Sequence, residues 1–227
     1  MVNVYKITVQ NDSGSQRKYA LFNKAPQVTG SVQGEIWGNV FASKTVPPGD
    51  SVTFKITNKY YAFVGSSEGK PGDQVQISVG GSREVNLGSK KANGQLTPGT
   101  TLDMVVIDDA PQFTRDIPAP TAYADSFSIQ TGDFDRKQAE RGKYLIGLGG
   151  STGGGLKGPV ATFSPEPNTT YQIQPINTFY VSFGSYEEGS LIRVQAVGVK
   201  EEIDFTQRPD EVTIVHNTRN QLTTQED

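Results

Sequence analysis

Apolar and polar residues alternate with a period of two along most of this chain, in short runs cut by Gly, Pro, Asn and Asp. Side chains of a strand point to opposite faces in turn, so the pattern predicts many half-buried β-strands. Tyr5 to Gln10 alternates in this way and ends at the turn Asn11-Asp-Ser-Gly14. Lys18 to Asn23 is a second strand, and Glu35 to Ala42 a third, with Gly38 marking a bulge or a close backbone approach. After the Pro47-Pro-Gly-Asp50 turn, Val52 to Thr57 and Tyr60 to Gly65 read as a hairpin-like pair. Val75 to Val79 and Arg83 to Leu87 follow, separated by Gly80-Gly81. Leu102 to Ile107 is apolar at nearly every position, which suits a strand covered on both faces.

The pattern is stated twice. Asn58-Lys-Tyr-Tyr-Ala-Phe-Val-Gly-Ser-Ser-Glu-Gly69 returns as Asn177-Thr-Phe-Tyr-Val-Ser-Phe-Gly-Ser-Tyr-Glu-Glu-Gly189, with six identities if one glutamate is an insertion. Collinear matches flank it: Val52 to Ile56 with Thr169 to Ile173, Val75 to Val79 with Ile192 to Ala196. Tyr5 to Val9 likewise matches Phe127 to Thr131, and Lys18 to Leu21 matches Lys143 to Ile146. The expectation is an internal duplication. Residues 1–107 form one β-repeat, a Pro-rich linker covers 108–122, and 123–205 form the second repeat. A C-terminal strand and polar tail fill 206–227, with Glu211 to His216 able to lie beside the first half as an exchanged edge. Only Asp133 to Arg141 has helical composition, one or two turns at most. The predicted fold is an all-β antiparallel sandwich of roughly 14 strands, with two pseudo-repeated halves in pseudo-twofold arrangement.

Composition narrows the chemistry. The chain is long enough to bury roughly 70% of its unfolded surface. Cys 0 removes disulfides, thiolate catalysis and zinc–thiolate sites. The net charge of −3 is scattered without a basic stripe, so no nucleic-acid partner is expected. No apolar run is long enough for a transmembrane helix. Met1-Val-Asn-Val-Tyr-Lys reads as a strand and not as a leader, which leaves a cytoplasmic site or secretion with a leader removed as the two expectations. Asn11-Asp-Ser13 and Asn168-Thr-Thr170 are glycosylation sequons at chance frequency.

Several patterns resemble catalytic motifs. Gly149-Gly-Ser-Thr-Gly153 satisfies G-x-S-x-G, with Asp204 or Asp210 and then His216 downstream in hydrolase order. The glycines after it forbid the helix that a nucleophile elbow needs, so a plain glycine loop is favoured. The same run matches G-x-G-x-x-G at Gly153, Gly155 and Gly158, but Pro159 closes the helix start that a dinucleotide requires. His216 is the sole histidine, which argues against a zinc site. Asp108-Asp109 and Asp133-Phe-Asp135 lack the oxygen-rich spacing of an EF-hand loop. No cofactor and no metal site is predicted.

The favoured reading is a non-catalytic binding or interaction protein, lectin-like, with a glycan or small-molecule ligand. Its candidate ligand-binding residues are Trp37, Tyr61, Glu68, Tyr180, Tyr186 and Glu187. Rings at strand ends beside carboxylates can stack on a sugar while the carboxylates bind its hydroxyls. The competing reading is that the rings only pack a second layer. Two alternatives remain: a hydrolase using Ser151 and His216 or a carboxylate pair, and a self-assembling or pore-forming β-protein, in keeping with a homo-oligomer.

Overall fold

Alternation becomes burial in the first strand, where Tyr5, Ile7 and Val9 turn to the core while Lys6, Thr8 and Gln10 stay on the other face. The computed structural model describes residues 3–70, 72, 74–152 and 157–225. The first half runs β1 (Val4–Asn11), β2 (Arg17–Asn23), β3 (Gln27–Thr29), β4 (Gln33–Asn39), β5 (Ala42–Val46), β6 (Ser51–Thr57), β7 (Tyr60–Ser67) and β8 (Ile77–Val85). A small hairpin of β9 (Ser89–Lys90) and β10 (Leu96–Thr97) precedes β11 (Thr101–Ile107) and β12 (Ala110–Phe113). The second half runs β13 (Phe127–Thr131), helix α1 (Arg136–Gly142), β14 (Tyr144–Ser151), β15 (Lys157–Ser164), β16 (Thr170–Gln174), β17 (Thr178–Phe183) and β18 (Leu191–Ile192). A 3-10 turn at Val194–Ala196 leads to β19 (Lys200–Asp204), β20 (Glu211–His216) and β21 (Leu222–Thr224).

The sheets display the duplication. One has the order β21-β20-β1-β6, and its counterpart has β12-β11-β13-β16 with β3 added at the edge. The other pair is β19-β17-β2-β5 and β8-β7-β14-β15, the latter extended by β4 and β18. Even the direction of pairing agrees: β20 runs parallel to β1 as β11 runs parallel to β13, and the remaining contacts are antiparallel. Register agrees as well, since Tyr5 opposes Ile56 and Phe127 opposes Ile173, as the sequence matches require. Between β2 and β17, Tyr19 opposes Phe183, whereas its sequence match Tyr144 opposes Ser66. The offset is two residues, and an even slip keeps every side chain on its face.

Strands cross between the halves throughout. β2 pairs with β17 and β7 with β14, so neither repeat completes its sheets alone. A single apolar cluster accordingly runs through all four large sheets, including Ile7, Leu21, Met104, Ile129, Ile146 and Val181.

Four expectations are corrected. β6 and β7 adjoin in sequence but enter different sheets, so they are not a hairpin. Gly80-Gly81 does not end a strand; it lies within β8 at a bulge opposite Val64 and Gly65. Residues 108–122 are not all linker, because Asp108 and Asp109 at φ 51 and φ 59 turn the chain back into edge strand β12. In β11, Leu102 and Met104 are buried but Val105 and Val106 only partly so, which makes it a strand with one covered face. The described residues hold twenty-one strands, more than the roughly 14 expected, because pieces of two or three residues such as β3, β9 and β10 are too short for alternation to show.

Other features follow the sequence. The helix starts at Asp135, whose side chain accepts from the Lys137 N–H, and ends with Lys143 in the left-handed region at φ 51. Asn11 cannot serve as a glycan acceptor in the folded chain, because its buried amide donates to the carbonyls of Ser15, Val46 and Pro47.

The shared core makes unfolding of both halves one event. Ile214 and Met104 occupy equivalent positions on β20 and β11, opposite Val9 and Thr131, and both are wholly buried. Truncating either to alanine should cost about 2–5 kcal/mol. Urea unfolding followed by tryptophan fluorescence and far-UV circular dichroism should stay a single coincident transition in both variants. Two separated transitions would show independent cores.

Candidate functional site

Sheet β19-β17-β2-β5 presents alternate residues to opposite sides. Tyr19, Leu21, Phe179 and Val181 enter the main core, while Ala20, Phe22 and Tyr180 belong to a second, smaller apolar cluster with Val40, Ile192 and Val197. That cluster is roofed by β4, β18 and the Val194–Ala196 turn. Phe22 is its centre: Tyr180 stacks on it at 5.8 Å, and Tyr186 tilts against it at 6.5 Å.

A hollow opens on either side of the 3-10 turn. The one beside Tyr180 has a volume of about 300 Å³, with Ile36, Gly38 and Val194 in its walls and Lys24 and Lys200 at its rim. The one beside Tyr186 is smaller, about 170 Å³, and includes Gln74, Arg193 and Val197. Gly38 lets the turn sit this close. A β-carbon there would stand 2.7 Å from Val194 Cγ2 and 3.3 Å from Ile192 Cγ2. The close approach foreseen for Gly38 is therefore present.

Charges frame the Tyr180 hollow. Lys24 Nζ lies 3.7 Å from Glu202 Oε1, and Glu202 stands opposite Tyr180 on β19. Lys200 Nζ is 6.0 Å from the centre of the Tyr180 ring and donates to the Val197 carbonyl at 3.1 Å. Burial raises the Tyr180 pKa, and the neighbouring Glu202 carboxylate adds to that shift, so the phenol stays protonated at neutral pH.

The candidate residues separate into two groups. Tyr180 lines the larger of the two hollows and Tyr186 the smaller, while Trp37 and Glu187 are among the described lining residues of neither. Trp37 is only 9% exposed, with the Arg193 guanidinium over its ring at 5.2 Å; that guanidinium also meets Glu35 at 3.1 Å. Glu187 is exposed and pairs with Lys18 at 2.6 Å. Glu68 is exposed on the matching loop of the first half, held to Gln76 by a backbone bond of 2.9 Å. The two loops meet where the Gln74 N–H donates to the Leu191 carbonyl and the Leu191 N–H to that of Val75.

Tyr61 stands apart. It lies on β7, three strands from β4 in the same sheet, or about 14 Å. The ring is 3% exposed, under Lys157 Nζ at 4.6 Å and beside Glu84 Oε2 at 3.5 Å. Consecutive strand residues face opposite ways, so Phe179 enters the main core and Tyr180 turns away from it. The outward rings are themselves roofed, at 3% and 7% exposure for Tyr61 and Tyr180. An open stacking platform is therefore replaced by a hollow with one tyrosine in its wall. Ile36, Val194, Lys24 and Lys200 were missed; none belongs to a motif, and only the fold brings them together.

Ser151 and His216 are not brought together. Thr152, next to Ser151, bridges to Ile56 beside Tyr5, whereas His216 pairs with Asn11 at the far end of β1. From Tyr5 to Asn11 a strand spans about 20 Å. Ser151 is buried, and its hydroxyl donates to the Thr152 carbonyl. Gly153 and Gly155 of the glycine motifs lie outside the described residues. His216 is wholly buried, stacked on Phe183 at 4.2 Å, with Nδ1 2.8 Å from the Tyr19 hydroxyl. Asp135 is engaged as the helix cap, and Asp109 accepts from Gln138. Among the described residues no group of three metal-ligating side chains occurs.

A larger hollow of about 700 Å³ covers the outer side of β1 and β20, between Lys6, Thr8, Arg208 and Thr213. Its walls carry no aromatic ring among the described residues.

Fold and site together define an internally duplicated, all-β protein with a roofed hollow on one sheet face. The RhiA family profile matches residues 2–227, and the chain belongs to that family. No curated protein and no solved structure matches it.

The buried histidine carries a pH prediction. Desolvation lowers the His216 pKa from its ordinary 6.5, and the Arg17 charge lowers it further, against a smaller opposing effect of Asn220. The native state thus keeps His216 neutral where the unfolded chain already binds a proton. Its contribution is complete above about pH 6.5 and is lost as the pH falls through and below that value. His216→Asn, which cannot titrate, should show a smaller drop in Tm between pH 7.5 and 5.5 than the parent. Equal drops in the two proteins would contradict this account.

Proposed function

We propose that this protein is a non-catalytic, lectin-like binding module whose ligand occupies the hollow beside Tyr180. The observation that carries the reading is the composition of that hollow. Apolar walls from Ile36, Val194 and Ala25 combine with few polar groups, the Tyr180 phenol, the Gln195 amide and two lysines. Ligand sites are typically concave and mainly apolar, with a small number of placed polar groups, and about 300 Å³ is the lower end of their usual size. A sugar ring suits such a place, because its C–H face packs on apolar side chains while its hydroxyls reach the amide and phenol.

Two facts favour binding over catalysis. Ser151 and His216 are held in separate environments, and Glu187 pairs with Lys18 on the surface. The larger hollow over β1 offers hydrogen bonds but no ring, so it suits the reading less well.

Truncating Tyr180 would confuse binding with stability, since its ring is packed on Phe22. Gln195 is exposed on the 3-10 turn and lines the hollow, so Gln195→Trp should fill it without disturbing the core. Glycan-array binding should fall at least tenfold in that variant, with Tm within about 2 °C of the parent, as surface changes usually shift stability by under 0.5 kcal/mol. Undiminished binding would place the ligand elsewhere.

A further inference from the structure

We infer that the ligand of the Tyr180 hollow is acidic: a sugar ring bearing a carboxylate, as in a hexuronate. This rests on the binding reading above and goes on to the charge of the ligand. The chain as a whole carries a net charge of −3, yet the described residues lining this hollow include two lysines and no carboxylate. Those lysines come from different strands. Lys24 follows directly on β2 and Lys200 opens β19, so the sheet sets them on either side of β17, which carries Tyr180 between them.

Both ammoniums have partners that a ligand carboxylate can compete with. Lys24 meets Glu202 at 3.7 Å, with both side chains about half exposed, and such solvent-screened surface pairs are weak. A ligand carboxylate can replace Glu202 at little cost. Lys200 gives one hydrogen bond to the Val197 carbonyl, and an ammonium has three donors. Burial, and after it Glu202, push the Tyr180 phenol further above its ordinary value, so at neutral pH it presents no negative charge to compete with the ligand.

The remaining walls select against a bare anion. Ile36, Val194 and Ala25 would be left against water by a phosphate or sulfate ion, whereas a ring with an apolar face covers them. The Gln195 amide and Tyr180 hydroxyl supply hydrogen bonds that a hydrocarbon carboxylate could not use. A polyhydroxylated ring with one carboxylate uses all three kinds of wall.

The test titrates the ¹⁵N-labelled protein with sodium D-glucuronate, D-glucose, sodium hexanoate and sodium phosphate, each to 50 mM at constant ionic strength. Glucuronate should shift the amides of Lys24, Gly38, Val194, Gln195 and Lys200, with apparent affinity at least tenfold above that for glucose. Lys200→Gln and, separately, Lys24→Gln should each reduce the glucuronate affinity several-fold while leaving the weak glucose response unchanged. Raising NaCl from 20 to 300 mM should weaken glucuronate alone. Equal binding of glucose and glucuronate would overturn the charge inference and leave the sugar-binding reading standing. Shifts with hexanoate or phosphate matching those with glucuronate would overturn the sugar ring as the recognised body. If none of the four moves these amides and Gln195→Trp changes no array signal, the binding reading fails together with the inference.

Discussion

The exchange of strands between the two halves is the constraint on which the rest of this structure depends. β2 requires β17 as a neighbour, and β7 requires β14. The parallel edges repeat the arrangement, with β20 against β1 and β11 against β13. A strand left with an open, apolar edge is a liability, and each repeat alone would have several. Pairing across the halves satisfies those backbone groups and joins two cores into one. Parallel partners need long connections, which explains why the chain travels from β1 through most of the molecule before β20 returns to it.

Much of this arrangement was legible in the sequence, and for a physical reason. Residues that face the same core in equivalent places remain similar in size and polarity, so Tyr5 and Phe127, or Ile56 and Ile173, still match in register. The strand Glu211 to His216, β20, could be matched to the first because both alternate in the same phase. What was not legible was sheet membership. Nothing in Thr57-Asn-Lys-Tyr60 says that the chain leaves one sheet and enters another, since a short turn serves either route. Gly80-Gly81 was equally ambiguous, because glycines punctuate turns and bulges alike.

The site was legible only in part, and the failure is informative. Periodicity sets Phe179 and Tyr180 on opposite faces, and it is Tyr180 that turns away from the main core. It cannot tell what covers that face. The cover comes from β18 and the Val194–Ala196 turn, together with β4 from the first half. Lys24, Ile36, Val194 and Lys200 are spread over nearly the whole chain, and each is ordinary in its own sequence context. Their convergence is a property of the exchanged topology.

Duplication also explains how one half came to differ from the other. Tyr61 and Tyr180 hold equivalent positions, each opposite a glutamate on the next strand, Glu84 and Glu202. Each ring has a lysine over it and a second lysine on its glutamate, Lys59 for Glu84 and Lys24 for Glu202. Only the tyrosine and the glutamate stand at equivalent places. The lysines come from β15 and the β6–β7 turn in one half and from β19 and the end of β2 in the other, and in both halves they cover a strand's outer ring with amphipathic stems. The halves part company in spacing. Lys157 stands 4.6 Å above Tyr61, in direct cation–π contact, whereas Lys200 stands off at 6.0 Å, the limit of such contact. Widening that gap, and placing the 3-10 turn against Gly38 so that Val194 forms a wall, turns a packing arrangement into a hollow. A duplicated scaffold permits this, because stability rests on the exchanged strands and one sheet face can change while the other continues to pack.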